Sequence, residues 1–267
     1  MGIDFGNTRI FADGADRDAI LSWADNALIS GFTTNPTLMR AAGVNDYEAF
    51  ALDLLRLISD RPISFEVFSD DKEEMHDQAL TIASWGPHVH VKIPITNTRG
   101  VTTADLQRRL ASEGVQLNVT AVMTLDQVEI AAAALADGPN AFISVFAGRI
   151  ADTGTDPVPI MAKAVEMLAP YPNLELIWAS PREILNVVQA VDIGCPVITV
   201  THALLDKLAG LGRDHAELSL DTVRMFHRDA RLSGYTLERS GVETSRRPAT
   251  LDLRPRRSDE TIDANPR

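Results

Sequence analysis

Residues 115–145 read VQLNVTAVMTLDQVEIAAAALADGPNAFISV, and this stretch decides the fold. Val115–Thr120 and Ala141–Val145 are short runs rich in strand-forming residues, and between them Leu125–Leu135 carries apolar residues at helical spacing behind a capping Thr124. A strand, a helix and a second strand within about thirty residues describe the crossover that joins two parallel strands. The unit recurs in both directions along the chain. Further strands are expected at Arg9–Asp13, Gly31–Thr34, Ile63–Phe68, Val89–Ile93, Leu174–Ala179 and Pro196–Val200. Helices are expected at Asp16–Ile29, Asp46–Ile58, Lys72–Trp85, Thr103–Ser112, Pro157–Leu168, Arg182–Val191 and His202–Leu211, with start signals at Ser180-Pro181 and Thr201 as well. Such a run of strand–helix units within roughly 200 residues implies an α/β chain folded as a closed (β/α)8 barrel, with an open doubly wound sheet as the structural alternative.

Past Leu211 the pattern changes. Leu220, Val223, Phe226, His227 and Ala230 share one face of an extra amphipathic helix expected at Ser219–Arg231, so residues 1–235 form one barrel domain with a C-terminal helix. Residues 236–267 are expected to be a disordered tail, because their Arg, Pro, Asp, Glu, Ser and Thr cannot offset the ordering entropy. Arg246, Arg247, Arg254, Arg256 and Arg257 are interleaved with acids there, the pattern of a solvated tail and not of a basic arm.

The 267 residues are 45% hydrophobic, enough for a buried core. Asp and Glu number 37 against 25 Lys and Arg, and the net charge of −12 repels phosphate backbones and anionic lipid, so neither nucleic acid nor membrane is an expected partner. Cys195 is the sole cysteine, which excludes an internal disulfide and points to a reducing, cytoplasmic location. Met1 to Arg9 has no apolar signal-peptide core, and no window approaches the roughly 18 apolar residues of a spanning helix.

Side chains alternate along a strand, so each run has one set facing the helices and one facing the barrel interior. Val89, Val91 and Ile93 form the apolar set of their strand, leaving His90 and Lys92 for the interior. The same division sends inward Gln116, Asn118 and Thr120; Phe142, Ser144 and Phe146; Phe11 and Asp13; Thr33 and Asn35; Ser64 and Glu66; Trp178 and Ser180; and Thr199 and Thr201. Barrel interiors are normally filled by branched aliphatic side chains, and buried polar groups cost free energy unless paired. A polar ring at the C-terminal ends of the strands, where sites in this fold are built, therefore reads as an active site.

Lys92 is the sharpest residue of the ring. The lysines are Lys72, Lys92, Lys163 and Lys207, and only Lys92 lies inside an apolar strand. Burial favours a neutral amine, which attacks carbonyls as arginine cannot, although a purely structural pairing with Glu66 or Asp13 would place the same residues together. Arg149 and Arg182 follow strand ends, and two guanidinium forks there suit the phosphate of a phosphorylated substrate. His76, His88, His90, His202, His215 and His227 show no metal-site spacing, and no Gly-rich nucleotide fingerprint occurs, so no metal and no cofactor are expected.

These residues resemble a known family. Gly31-Phe32-Thr33-Thr34-Asn35-Pro36-Thr37-Leu38 resembles the transaldolase signature, and Val91-Lys92-Ile93-Pro94 resembles its Schiff-base lysine strand. Phe65-Glu66-Val67, Leu117-Asn118-Val119-Thr120, Ser144-Val145-Phe146-Ala147-Gly148-Arg149-Ile150 and Ala179-Ser180-Pro181-Arg182 continue the resemblance in order, over roughly Arg9 to Leu211. The resemblance implies transfer of a dihydroxyacetone unit from a ketose phosphate, such as fructose 6-phosphate or sedoheptulose 7-phosphate, to an aldose phosphate. It implies that Lys92 forms the Schiff base, that Asp13 is the acid–base group, and that Glu66 and Thr120 assist dehydration with a held water. It also implies that Asn35, Thr33, Asn118, Ser144 and Phe146 surround the donor, that Arg149, Arg182 and Ser180 hold the phosphate, and that the chain assembles into a homo-oligomer.

Two departures bear on the sugar: Gly14-Ala15 follows Asp13 where relatives carry Thr-Ser, and Pro181 follows Ser180 where Phe is common. The rival activity is that of the fructose-6-phosphate aldolases, which release free dihydroxyacetone and carry a Gln where Glu66 stands and a Tyr where Phe146 stands. A non-catalytic sugar-phosphate-binding barrel is the third reading, and the intact Lys92, Asp13 and Glu66 speak against it.

Overall fold

A computed structural model of the protein describes residues 5–237. Eight parallel strands close into a barrel in sequence order, with the last strand pairing the first. The barrel unit extends to Arg213 and runs β1 (Arg9–Asp13), α1 (Arg17–Ala24), β2 (Ile29–Thr33), α2 (Pro36–Ala41), α3 (Tyr47–Leu57), β3 (Ile63–Glu66), α4 (Lys72–Ala83) and β4 (Val89–Pro94). It continues with α5 (Ala104–Ser112), β5 (Leu117–Val122), α6 (Leu125–Leu135), β6 (Ala141–Val145), α7 (Ala147–Ala151), α8 (Val158–Leu168), β7 (Leu174–Trp178), α9 (Leu185–Asp192), β8 (Val197–Thr201), α10 (His202–Leu205) and a 3-10 turn at Asp206–Gly210. This is the (β/α)8 barrel expected from the sequence, not the open sheet. Among the described residues no helix is long and apolar enough to cross a membrane.

Local chemistry places the elements. Asp16, Asp46 and Asp71 cap α1, α3 and α4 through their side-chain oxygens, and Thr124 and Gln127 form a reciprocal capping box on α6. Ser180-Pro181 does not open a helix: α9 starts at Leu185 without a side-chain cap, which leaves those two residues in the loop above the barrel. Two short helices interrupt the simple alternation. Asn35 caps α2 with Pro36 at its first turn, and α7 starts directly after Phe146 without a cap bond.

The main core lies between the strands and the surrounding helices and includes Phe32, Phe65, Val91, Leu117, Val119, Ile143 and Trp178. A second apolar group, Phe11, Phe142, Ile177, Ala179 and Val197, fills the barrel interior. Gly31 makes room for it, since a Cβ there would lie 2.7 Å from the Phe11 ring. Trp178 corrects the expected parity of β7: its indole is buried on the helix side, and Ile177 and Ala179 point inward.

From Asp214 the chain forms a second unit, in which α11 (His215–Ser233) is capped by Asp214 and stopped by Gly234 at φ 66°. It starts four residues before the expected Ser219 and ends two after Arg231. The tail expectation falls largely on residues 238–267, outside those described.

Candidate active site

The C-terminal ends of the strands surround a cavity of about 450 Å³. Lys92 enters it from β4 and Glu66 from β3, and the two residues are register partners across the β3–β4 ladder. The ammonium nitrogen Nζ donates to the Thr34 carbonyl at 2.8 Å and lies 3.7 Å from Glu66 Oε2. Lys92 is only 6% exposed, so solvent screens this pair weakly. Asp13 closes β1 and accepts a 2.7 Å hydrogen bond from Thr33 Oγ1, which in turn lies 2.5 Å from Thr199 Oγ1. A hydroxyl has one hydrogen, so with Thr33 donating to Asp13 the Thr199 hydroxyl donates to Thr33.

Burial raises both carboxyls above the ordinary carboxylate range. Lys92 opposes the shift in each case, and the Thr33 hydroxyl also opposes it at Asp13. Two acids held towards neutrality beside a primary amine are placed to exchange protons with reacting groups.

On β5 and β6 the polar residues form a chain. Ser144 donates to Asn118 Oδ1 at 2.7 Å, and Asn118 Nδ2 donates to Ser64 Oγ at 3.0 Å. Ser144 faces the cavity, whereas Asn118 lies fully buried behind it and fixes its orientation. Thr120 Oγ1 is buried at the cavity wall without a partner among the described residues, which leaves a hydrogen-bonding group for a ligand or a water. The next residue, Ala121, has φ 61°, and the β5–β6 register shifts between Val119 and Val122. The resulting bulge brings both Thr120 and Ala121 to the cavity.

The rim carries the cations. Arg149 lies with its guanidinium 5.7 Å from the Phe146 ring centroid, and Arg182 is held by an ion pair with Asp152. Both line the cavity beside Ser180. Gly148 permits this crowding, because a Cβ on it would sit 1.5 Å from the Ser180 carbonyl oxygen. Ser180 has φ 59°, and it and Ala121 are the two non-glycine residues at positive φ among those described. Both strained positions line the same cavity, as functional sites often show.

The cavity thus gathers Asp13, Thr33, Asn35, Glu66, Lys92, Thr120, Ser144, Phe146, Arg149, Ser180 and Arg182, and of the expected site residues it leaves out Asn118. Ser180 arrives by its turn and not by strand parity, because β7 ends at Trp178. The Asn35 side-chain oxygen caps α2 by accepting from the Leu38 N–H at 3.0 Å. Pro36, Thr37 and Leu38 at the start of α2, Ala179, Pro181, Thr199 and Thr201 complete the wall; the inward parity of β8 marked the last two.

A closed barrel whose C-terminal strand ends surround a buried lysine and two carboxyls has the form of an enzyme site. The sequence profile of the Transaldolase/Fructose-6-phosphate aldolase family matches residues 10–245, and the chain belongs to that family. A probable transaldolase of Dehalococcoides mccartyi is 34% identical over 198 residues, covering 74% of this chain and 88% of that protein. A probable transaldolase of Nitrosopumilus maritimus is 33% identical over 202 residues, covering 75% and 86%. Among solved structures, a 2,3-dimethylmalate lyase matches with a TM-score of 0.51 at 13% identity, covering 89% of this chain and 88% of that one, a likeness of fold alone. The chain is accordingly an enzyme of the transaldolase/aldolase type.

Proposed function

We propose that the enzyme is a transaldolase that moves a dihydroxyacetone unit from a ketose phosphate, such as fructose 6-phosphate or sedoheptulose 7-phosphate, to an aldose phosphate. The observation that carries this reading is the Lys92 amine, buried at the cavity floor and 3.7 Å from Glu66. Its neutral form attacks the C2 carbonyl, and the resulting carbinolamine loses water as Glu66 relays the proton with the help of a water held by Thr120. The iminium draws electrons from the C3–C4 bond while Asp13 takes the C4 hydroxyl proton. An aldose phosphate leaves, and the three-carbon enamine stays on Lys92. When an acceptor enters, its carbonyl carbon bonds to the enamine carbon and Asp13 returns the proton to the new hydroxyl. Hydrolysis of the imine then restores the amine.

Arg149, Arg182 and Ser180 lie on one side of the mouth and suit the terminal phosphate of both donor and acceptor. Ser144 and the Asn35 amide suit the donor hydroxyls. Phe146 sets a ring without a hydroxyl against the cavity, and Glu66 stands where the releasing enzymes carry an amide, so the residues support retention of the three-carbon unit over its release.

Fructose 6-phosphate supplied with and without erythrose 4-phosphate separates the readings. Formation of glyceraldehyde 3-phosphate should rise at least tenfold with acceptor. Equal rates with free dihydroxyacetone would assign an aldolase, and silence across a ketose phosphate panel would leave a binding barrel.

A further inference from the structure

The β2–β3 ladder ends in an exchange of partners that runs through Tyr47. Phe32 N–H donates to the Pro62 carbonyl and Thr34 N–H to the Ser64 carbonyl, so alternate residues of β3 point their backbone groups at β2. In an evenly spaced parallel ladder the next two bonds would run from Glu66 N–H to the Thr34 carbonyl and from residue 36 N–H to the Glu66 carbonyl. Neither forms. The Thr34 carbonyl accepts from Lys92 Nζ at 2.8 Å, and residue 36 is a proline, which has no N–H to give.

The Tyr47 hydroxyl fills both gaps. It accepts from Glu66 N–H at 2.8 Å and donates to the Glu66 carbonyl at 2.7 Å, acting as a one-atom replacement for the missing strand. Its ring is wedged edge-on against Phe65 and Phe68 and lies tilted against Trp85, with centroids 5.7–6.4 Å away, which fixes where the oxygen sits. Burial holds the phenol well above its ordinary value, so it keeps the hydrogen it donates.

We infer that Tyr47 is a positioning residue for both members of the Lys92–Glu66 pair: it keeps the Thr34 carbonyl free for the lysine and anchors the strand end that presents Glu66. The inference rests on the reading of Lys92 as the amine that forms the imine. Removing the hydroxyl leaves Glu66 N–H without its acceptor, and the acceptor an even ladder would give it is the Thr34 carbonyl that Lys92 now uses. Both reacting groups then lose their placement together, while the phosphate-binding rim is untouched.

The test is Tyr47→Phe, which keeps the ring and deletes the oxygen. The rate of borohydride-trapped adduct formation with fructose 6-phosphate and the steady-state kcat should each fall at least tenfold, since displacement of reacting groups by about 1 Å costs on that order or more. KM should stay within about threefold, and the melting temperature within a few degrees. The acid limb of kcat should also move to higher pH, because Glu66 drawn away from Lys92 loses the charge that opposes its burial; Asp13, the other charge acting on Glu66, already raises it. Unchanged trapping and kcat would overturn the inference, as would a collapse of melting temperature, binding and turnover together, which would make the hydroxyl a support of the fold only. Failure of the wild-type protein to trap any adduct would instead remove the imine reading beneath it.

Discussion

His90 and Lys92 stand two residues apart on the same face of β4, one in the lower interior of the barrel and one in its mouth, and they live under opposite rules. His90 packs against Phe142 with ring centroids 4.5 Å apart, and burial pulls its pKa from 6.5 down to about 4, so the ring stays neutral. Around it Phe11, Ile177 and Val197 fill space and make no polar demands. Lys92 instead has a backbone acceptor, a carboxylate 3.7 Å away and a cavity above it. The lower layer is a packed plug whose contribution is measured in stability. The upper layer gives up aliphatic packing for groups that can move protons, and its contribution is measured in rate.

The largest break in that division comes from Asp13→Asn. Turnover should fall by roughly 10²–10⁴-fold, the usual worth of an acid–base group. Stability should move the other way. A carboxyl whose pKa is raised on folding favours the fold most at low pH, and that advantage is lost as pH rises through the raised value, so well above its ordinary range the Asp13 carboxyl burdens the fold. The variant should therefore melt higher at pH 7, by about 2–4 °C per kcal/mol relieved. A lower melting temperature with full activity would contradict both halves of the prediction.

Next in size is a pair of glycine variants that make the same change in the two layers. Gly148→Ala forces the Ser180 backbone away from a Cβ only 1.5 Å from its carbonyl oxygen, so KM for a phosphorylated donor should rise tenfold or more. Gly31→Ala adds a Cβ whose three nearest atoms all belong to the Phe11 ring in the plug. It should cost about 1–3 kcal/mol by overpacking, read from denaturant melts, with KM and kcat near the wild type. A kinetic defect in Gly31→Ala as large as that in Gly148→Ala would erase the boundary between plug and mouth.

The smallest effect concerns His90 alone. A folded-state pKa near 4 means that the unfolded chain binds the proton more readily, so stability is lost as pH falls from about 6.5 towards 4. His90→Leu should flatten the melting temperature across that window relative to the wild type, with kcat near neutrality unchanged. An identical pH slope in the two proteins would show that the ring is not buried in the plug.

Much of this was legible in the sequence because barrel strands alternate. Polar residues on one parity of β1, β3, β4, β5 and β6 placed Asp13, Glu66, Lys92, Thr120 and Ser144 at the mouth without any contact being known. The argument failed on β7, where Leu174, Leu176, Ile177 and Trp178 are apolar on both parities; Glu175 shares the parity of the inward Ile177, but Ser180 beyond the strand carries the opposite one. Ser180 reached the cavity through a left-handed turn that no periodicity encodes. Asn35-Pro36 did carry the signal of a helix start, a capping side chain followed by a proline, whereas the five residues of α7 carry none. Tyr47 was invisible for a different reason. It acts on backbone atoms nineteen residues away, and its role follows from a carbonyl already occupied by Lys92 and a proline that has nothing to donate.

The central claim is that the mouth-layer lysine is the nucleophile. Incubation with fructose 6-phosphate and sodium borohydride, followed by peptide mass spectrometry, tests it most directly. The account predicts a reduced three-carbon adduct on the peptide containing Lys92, abolished in Lys92→Met. An adduct on Lys72, Lys163 or Lys207, or none from a folded protein offered a panel of ketose phosphates, would contradict it.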